Sequence, residues 1–458
     1  MVFSSIIFLF RFLPITLFVY YIAPQKFKNA VLVICSLFFY SWGEVKYFPI
    51  MIASILVDYI VSLVIERNRE KKGICKICMG ISLLFNLGML FFFKYTNFFV
   101  DNINAFAGTH FAGIQLTLPL GISFYTFQTL SYTIDVYRGK TKAERNIVNF
   151  AAFVTLFPQL IAGPIVKYTD VSRELRERKM NLAQINEGIT LFIFGLGKKV
   201  LIANNIGSLW NQVQDIGFSN VSTPLAWLGI LAYSFQIYFD FSGYSLMAIG
   251  MGKMLGFEFP QNFNYPYISK SMTEFWRRWH ITLGSWFREY VYIPLGGNRV
   301  SKPRMYFNIF IVWAATGFWH GASWNFVLWG LFFFVFLVLE KTFLLKYLEK
   351  SHVFSHIYVC FFLVLSWALF AITDFSQLGI FLERLFSFSS GSDWMYYLRN
   401  YLVTFLLAIF CSIPLVEKLY NKIKKIAFVN LLILAVILIV SIAYLVDATY
   451  NPFLYFRF

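Results

Sequence analysis

Residues 305–339 read MYFNIFIVWAATGFWHGASWNFVLWGLFFFVFLVL, an apolar run of 35 residues broken once, at Gly317-Phe-Trp-His-Gly321. At about 1.5 Å of rise per residue the run is too long for one membrane helix, which needs about 20 apolar residues. The sequence reading is therefore two half-helices meeting at a break. Non-helical backbone at membrane depth is tolerated only where protein or a water-filled cavity satisfies it, so the break predicts a cavity, with His320 inside it.

The rest of the chain has the same character. Of its 458 residues, 59% are apolar and 21% aromatic, only 14% are charged, and mean hydropathy is +0.64. Soluble domains carry about 25% charged residues, so a soluble enzyme, a disordered chain and a disulfide scaffold are all excluded. Spans are expected at 5–23, 29–44, 47–65, 77–95, 118–136, 185–204, 223–248, 357–373, 397–416 and 427–446. The fold class is an all-α polytopic membrane protein of about eleven transmembrane helices, with re-entrant and amphipathic helices added. Met1 to Tyr21 lacks a basic n-region and a small-residue cleavage site, and is read as a retained first span.

Lysine and arginine outnumber the acids 39 to 23, a net charge of +16. The excess clusters between apolar runs, at 67–76, 138–145, 167–179, 270–304 and 418–425. Such clusters face the cytoplasm under the positive-inside rule, so the excess reports topology, and no nucleic-acid partner is expected. The connections 97–117 and 205–222 lack basic residues and are expected outside, which also puts the N-terminus outside. Residues 147–166 are flanked by basic clusters on both ends and contain Pro158 and Ala162-Gly163-Pro164, a re-entrant pattern. One membrane domain is read over 1–458: spans in 1–248, an amphipathic or re-entrant cytoplasmic segment in 249–304, and the histidine-bearing break with the last spans in 305–458. Twelve aromatic residues between Phe257 and Tyr292 belong at headgroup level.

An ionisable group at membrane depth is a functional-site hypothesis, and His320 suits a general base because a neutral imidazole takes a proton without starting as a buried charge. His280, closing Glu274-Phe-Trp-Arg-Arg-Trp-His280, is the second candidate. A structural histidine bonded to a backbone carbonyl is the competing reading of each. His352 and His356 have i, i+4 spacing without a metalloprotease glutamate and read as a solvated helix end; Cys75-Ile-Lys-Cys78 reads as a reduced helix end. No metal site and no bound cofactor are expected, nor is there a phosphate-binding glycine loop.

Five motifs carry a resemblance: Pro119-Leu-Gly-Ile-Ser-Phe-Tyr-Thr-Phe-Gln128 through Asp135-Val-Tyr-Arg-Gly139, Phe157-Pro-Gln-Leu-Ile-Ala-Gly-Pro-Ile165, Phe275-Trp-Arg-Arg-Trp-His280, Tyr292-Ile-Pro-Leu-Gly-Gly-Asn-Arg299 and Phe318-Trp-His-Gly-Ala-Ser-Trp324. With Val2-Phe-Ser-Ser at one end and Asn451-Pro-Phe-Leu-Tyr-Phe at the other, they resemble the membrane-bound O-acyltransferase family over essentially the whole chain, most closely the membrane subunit of bacterial alginate O-acetyltransferases. The resemblance implies a helical bundle around a central funnel, with the family's essential histidine at His320 and its second histidine at His280. It also implies O-acetylation of an extracytoplasmic polysaccharide, from acetyl-CoA or another acyl thioester, at a bacterial cytoplasmic membrane. An exported hydrolase-like acetyltransferase is the expected partner. Leu246 and Gly284 depart from the family pattern, which has an acid and a serine there.

Coenzyme A phosphates would be drawn to Arg277, Arg278, Arg288 and Arg299, with topology alone as the other explanation of those charges; Trp276, Trp319 and Trp324 complete the substrate-binding candidates. A teichoic acid D-alanyl transferase is the alternative enzyme. A polysaccharide exporter is the alternative of another class, but inverted repeats with paired broken helices are not seen.

Overall fold

The computed structural model describes residues 1–161, 163–447 and 454. Ala162 of the re-entrant triplet and the closing Asn451-Pro-Phe lie outside the described residues. The chain forms two compact units: residues 1–192 with 247–260, and residues 193–246 with 261–458. No strand occurs among the described residues. In an apolar medium only a helix satisfies its own backbone polar groups within one segment.

The first unit begins with α1 (Leu13–Ile22), α2 (Lys28–Gly43), α3 (Phe48–Arg67), α4 (Lys72–Ala107) and α5 (Ile122–Tyr137). α6 (Ile147–Thr155), α7 (Phe157–Leu160) and α8 (Tyr168–Arg176) follow. At nine residues, α6 rises about 13 Å, less than half a hydrocarbon layer, and is too short to cross it. Gly121 stands with φ +70 where a Cβ would lie 2.6 Å from the Leu160 carbonyl oxygen, so the motifs at 119–128 and 157–165 meet backbone to backbone. Helix α4 continues past the expected span to Ala107, because Asn97 and Asn104 pair through both side-chain amide atoms with Ile114 and Phe111 and hold the returning loop on its last turns.

Next come α9 (Leu182–Gly197), α10 (Asn205–Ile216) and α11 (Thr223–Met254). A π-helical turn, Lys198–Asn204, joins α9 to α10, so the helix runs on through the start of the connection expected outside. Within the second unit the Lys199 ammonium, 1% exposed, pairs with Asp240 at 2.5 Å. The other oxygen of Asp240 accepts the Leu454 amide at 2.9 Å and so anchors the last described residue.

The second unit continues with α12 (Met272–Arg278), α13 (Ile281–Phe287), α14 (Lys302–His320), α15 (Trp324–Leu339), α16 (Leu345–Leu348) and α17 (His352–Ala371). It ends with α18 (Phe375–Phe386), α19 (Asp393–Cys411), α20 (Leu415–Ile423) and α21 (Ala427–Asp447). Among the described residues seven helices are long and apolar enough to cross a membrane: α3, α4, the run 182–216, the run 324–348, α17, α19 and α21. The chain is an all-α polytopic membrane protein.

The reading of 305–339 is corrected. Helix α14 passes through Gly317 unbroken, and the break is the three residues 321–323. The halves are not collinear. A Cβ on Gly317 would lie 2.5 Å from the Phe326 carbonyl oxygen, and one on Gly330 2.4 Å from that of Trp313. Because the apposed positions run in opposite directions, α14 and α15 form an antiparallel hairpin, and its glycines bring the two backbones into contact.

Candidate active site

Every element of the site lies in the second unit. Helix α12 is short, and its start is fixed by an anion. The Glu340 carboxylate, 2% exposed, accepts the amides of Met272 at 2.6 Å and Thr273 at 2.9 Å, the Thr273 hydroxyl at 2.6 Å and the Tyr358 hydroxyl at 3.3 Å. First-turn N–H groups have no partner inside their own helix, and the helix dipole favours negative charge there. Ser271 caps the same turn by accepting from the Glu274 amide.

After α12 the chain turns sharply. Trp279 is extended and His280 is left-handed, at φ 43 and ψ 53. A non-glycine residue in that region carries strain, which persists only where its surroundings hold it. Here Asn262, 1% exposed, supplies the hold. Its backbone carbonyl accepts the Ile281 amide at 3.0 Å, and its Oδ1 accepts the Thr282 amide at 3.2 Å and the Thr282 hydroxyl at 2.9 Å. His280 Nδ1 lies 3.1 Å from the same oxygen. Since Oδ1 is the acceptor in each of these contacts, Nδ1 carries the proton and Nε2 is the basic nitrogen. His280 lies outside the spanning helices, and burial pushes its imidazole down to about 3. It is neutral at physiological pH.

His320 is the last residue of α14 and is 3% exposed. Three rings surround it, with centroids at 5.0 Å for Trp319, 4.9 Å for Trp329 and 5.3 Å for Phe370. Phe370 is fixed in turn, because Asn325 donates to the Leu369 and Phe370 carbonyls at the end of α17.

Trp319 joins the two histidines, with its ring 6.0 Å from His280 and 5.0 Å from His320. Trp276 belongs to the same aromatic body, at 4.7 Å from Trp313 and 5.6 Å from Trp329. Trp324 does not, for it opens α15 and is 50% exposed. The arginines also separate. Arg278 is committed to structure, pairing with Glu274 at 2.9 Å and donating to the Asn264 carbonyl at 3.1 Å. Arg277, Arg288 and Arg299 are exposed. Asn262, Asn325 and Glu340 were missed in the sequence. A buried asparagine or glutamate acting on backbone groups far along the chain leaves no spacing to read.

Two enclosed imidazoles, one at the end of a hairpin helix and one on a strained turn, therefore face the same indole. Residues 142–356, which hold both histidines, Asn262, Asn325 and Glu340, match the model of the membrane-bound O-acyltransferase family. The chain is 40% identical over 399 residues to the probable alginate O-acetylase AlgI of Azotobacter vinelandii, covering 86% of this chain and 79% of that protein. It is 39% identical over 366 residues to the peptidoglycan O-acetyltransferase of Helicobacter pylori, covering 72% and 68%. Against the teichoic acid D-alanyltransferase of Streptococcus thermophilus it is 31% identical over 244 residues, covering 50% and 58%. The chain belongs to the membrane-bound O-acyltransferase family. It is a multi-pass membrane acyltransferase.

Proposed function

We propose that the protein takes an acetyl group from a cytoplasmic thioester, acetyl-CoA in the simplest case, and moves it across a bacterial cytoplasmic membrane for O-acetylation of an extracytoplasmic polysaccharide. In this reading the N-terminus is outside, and an exported hydrolase-like protein completes delivery to the sugar. His320 is the general base. An acceptor hydroxyl oxygen attacks the thioester carbonyl carbon while the imidazole takes the hydroxyl proton. Collapse of the tetrahedral adduct expels the thiolate, which receives that proton. His280, with Nε2 as its basic atom, orients the reacting group.

The observation that carries this reading is the enclosure of His320 beside Trp319, which also meets His280. A desolvated setting strengthens the hydrogen bond between an imidazole and the attacking hydroxyl. The relatives named for O-acetylation of alginate and peptidoglycan support acetyl transfer to a glycan. The exposed Arg277 and Arg288 are suited to the donor's phosphates.

The test is glycan acetylation in cells carrying His320→Ala at wild-type protein levels, where the rate should fall about 10²–10⁴-fold. Full acetylation by that variant would remove His320 as the base. With purified protein, Arg277→Gln and Arg288→Gln should weaken acetyl-CoA binding in a salt-dependent way. Unchanged affinity in both leaves those charges only a topological role.

A further inference from the structure

Buried charges in folded proteins are paired or hold a ligand, and two in the first unit have no acidic partner among the described residues. Lys28, the first residue of α2, is 5% exposed, and Arg178, which follows α8, is 7% exposed. Both lie against the Tyr20 ring, with the ammonium 4.7 Å and the guanidinium carbon 5.7 Å from its centroid; the guanidinium is also 4.5 Å from the Phe257 ring.

Their hydrogen bonds do not answer the charge. Lys28 Nζ meets the Met180 sulfur at 3.9 Å, a weak acceptor. Arg178 Nη2 donates to the Asn29 Oδ1, while its Nε and Nη1 have no acceptor in hydrogen-bond geometry. Asn29 spends its amide hydrogens on the Asn149 side chain and the Leu175 carbonyl, both at 2.7 Å. The Tyr20 hydroxyl, which donates to the Leu255 carbonyl at 2.6 Å, offers the guanidinium at most a lone pair and no counter-charge. Glu174, whose carboxylate field reaches Arg178, forms no ion pair with it among the described residues. Acids nearby in the unit are used elsewhere: Glu144 by Arg176, and Glu187 and Glu258 by Lys253.

We propose that Lys28 and Arg178 form a binding site for a phosphate-bearing anion. Two adjacent like charges out of water are stabilised by a third, opposite charge. A tetrahedral oxyanion can accept from two guanidinium nitrogens and from the point charge of an ammonium at once. Ring contacts and a neutral amide offset only part of the desolvation of two cations. The flanking exposed Lys26 and Lys179 add to the local positive field. Two sources offer this group: the headgroup of an anionic phospholipid in the adjoining leaflet and a soluble phosphate compound such as coenzyme A. The inference is independent of the histidine chemistry.

The test is thermal unfolding of the purified full chain, delipidated in neutral detergent. Phosphatidylglycerol, phosphatidylcholine, coenzyme A and inorganic phosphate are titrated at matched ionic strength. Wild type should be stabilised in a saturable way by a phosphate-bearing anion and not by phosphatidylcholine. The half-saturating concentration should rise about tenfold or more in Lys28→Gln and Arg178→Gln, with Arg178→Lys intermediate, the loss of one charge-assisted bond. Each Gln variant removes an uncompensated buried charge, so without ligand each should melt no lower than wild type. If Arg178→Gln does not fold, Lys28→Gln decides. A response confined to phosphatidylglycerol assigns a lipid, and one to coenzyme A or phosphate assigns a soluble anion. Absence of any saturable response, or equal responses in wild type and Lys28→Gln, overturns the site.

Discussion

His280 combines three features that rarely coincide: a left-handed backbone, a fully enclosed ring and an asparagine that fixes its tautomer. Removing the Asn262 side chain leaves the Thr282 amide and hydroxyl without their acceptor, and Asn262→Ala is expected to cost about 1–3 kcal/mol of stability. It should also lower turnover while substrate affinity changes less, because the ring would lose its orientation. A kcat and KM measurement separates this from simple unfolding. The depressed imidazole gives a further prediction. A histidine whose folded value lies below 6.5 binds fewer protons folded than unfolded, so its contribution is intact above that pH and is lost as pH falls. Below 6.5 the wild type should therefore lose up to about 1.4 kcal/mol per pH unit more than His280→Gln. Parallel curves for the two proteins between about pH 5 and 7 would refute it.

Helices in this protein are set by contacts at their ends and by glycine faces. The α14–α15 hairpin meets backbone to backbone at Gly317 and Gly330, where a new methyl group would strike a carbonyl oxygen rather than a flexible side chain. Gly317→Ala and Gly330→Ala should each cost about 1–3 kcal/mol. Activity should fall further than stability does, because Gly317 is one helical turn from His320. Activity equal to wild type in protein that melts early would show that the hairpin does not position His320 for the reaction. Helix α12 depends on Glu340 in the same way. Glu340→Gln keeps size and removes the charge that three α12 donors share, and a loss of about 1–3 kcal/mol is expected. Thermal unfolding in detergent measures it, with Glu349→Gln, at an exposed site, as control.

At the scale of the whole molecule the basic clusters make a topological prediction. Single cysteines at Ser219 and at Arg277, in a background without the native cysteines, should react with an impermeant maleimide from opposite sides: Ser219 in intact cells, Arg277 only after permeabilisation. Labelling of both in intact cells would contradict the positive-inside assignment. The buried Lys199–Asp240 pair bears on the chain as a unit, since Asp240 also holds the Leu454 amide. Asp240→Asn strands a buried ammonium and should cost about 3–5 kcal/mol, whereas Lys199→Met with Asp240→Leu should recover much of the loss.

Hydropathy and charge in the sequence alone determined the membrane class, the helical fold, most span positions and the stretches carrying His280 and His320. These are local properties: an apolar run of sufficient length has one stable solution in lipid, and a basic loop has one preferred side. The order of the motifs was likewise enough to indicate the family. What the sequence could not reveal is where distant segments touch. The sequence places the break over Gly317 to Gly321, yet in the fold Gly317 is a contact surface, the helix runs on to His320, and only Gly321 of that stretch belongs to the break. Lys199 falls inside the expected span 185–204, and only the arrival of Asp240 gives its buried charge a partner. Arg278 and Arg277 are neighbours of the same type, and packing alone tied one to Glu274 and left the other exposed. Pairing of charges, the tautomer of His280 and the indole shared by two histidines 40 positions apart all depend on long-range contacts. Those contacts form only when the chain has packed, because a side chain's partner is set by distance in space and not by separation in sequence.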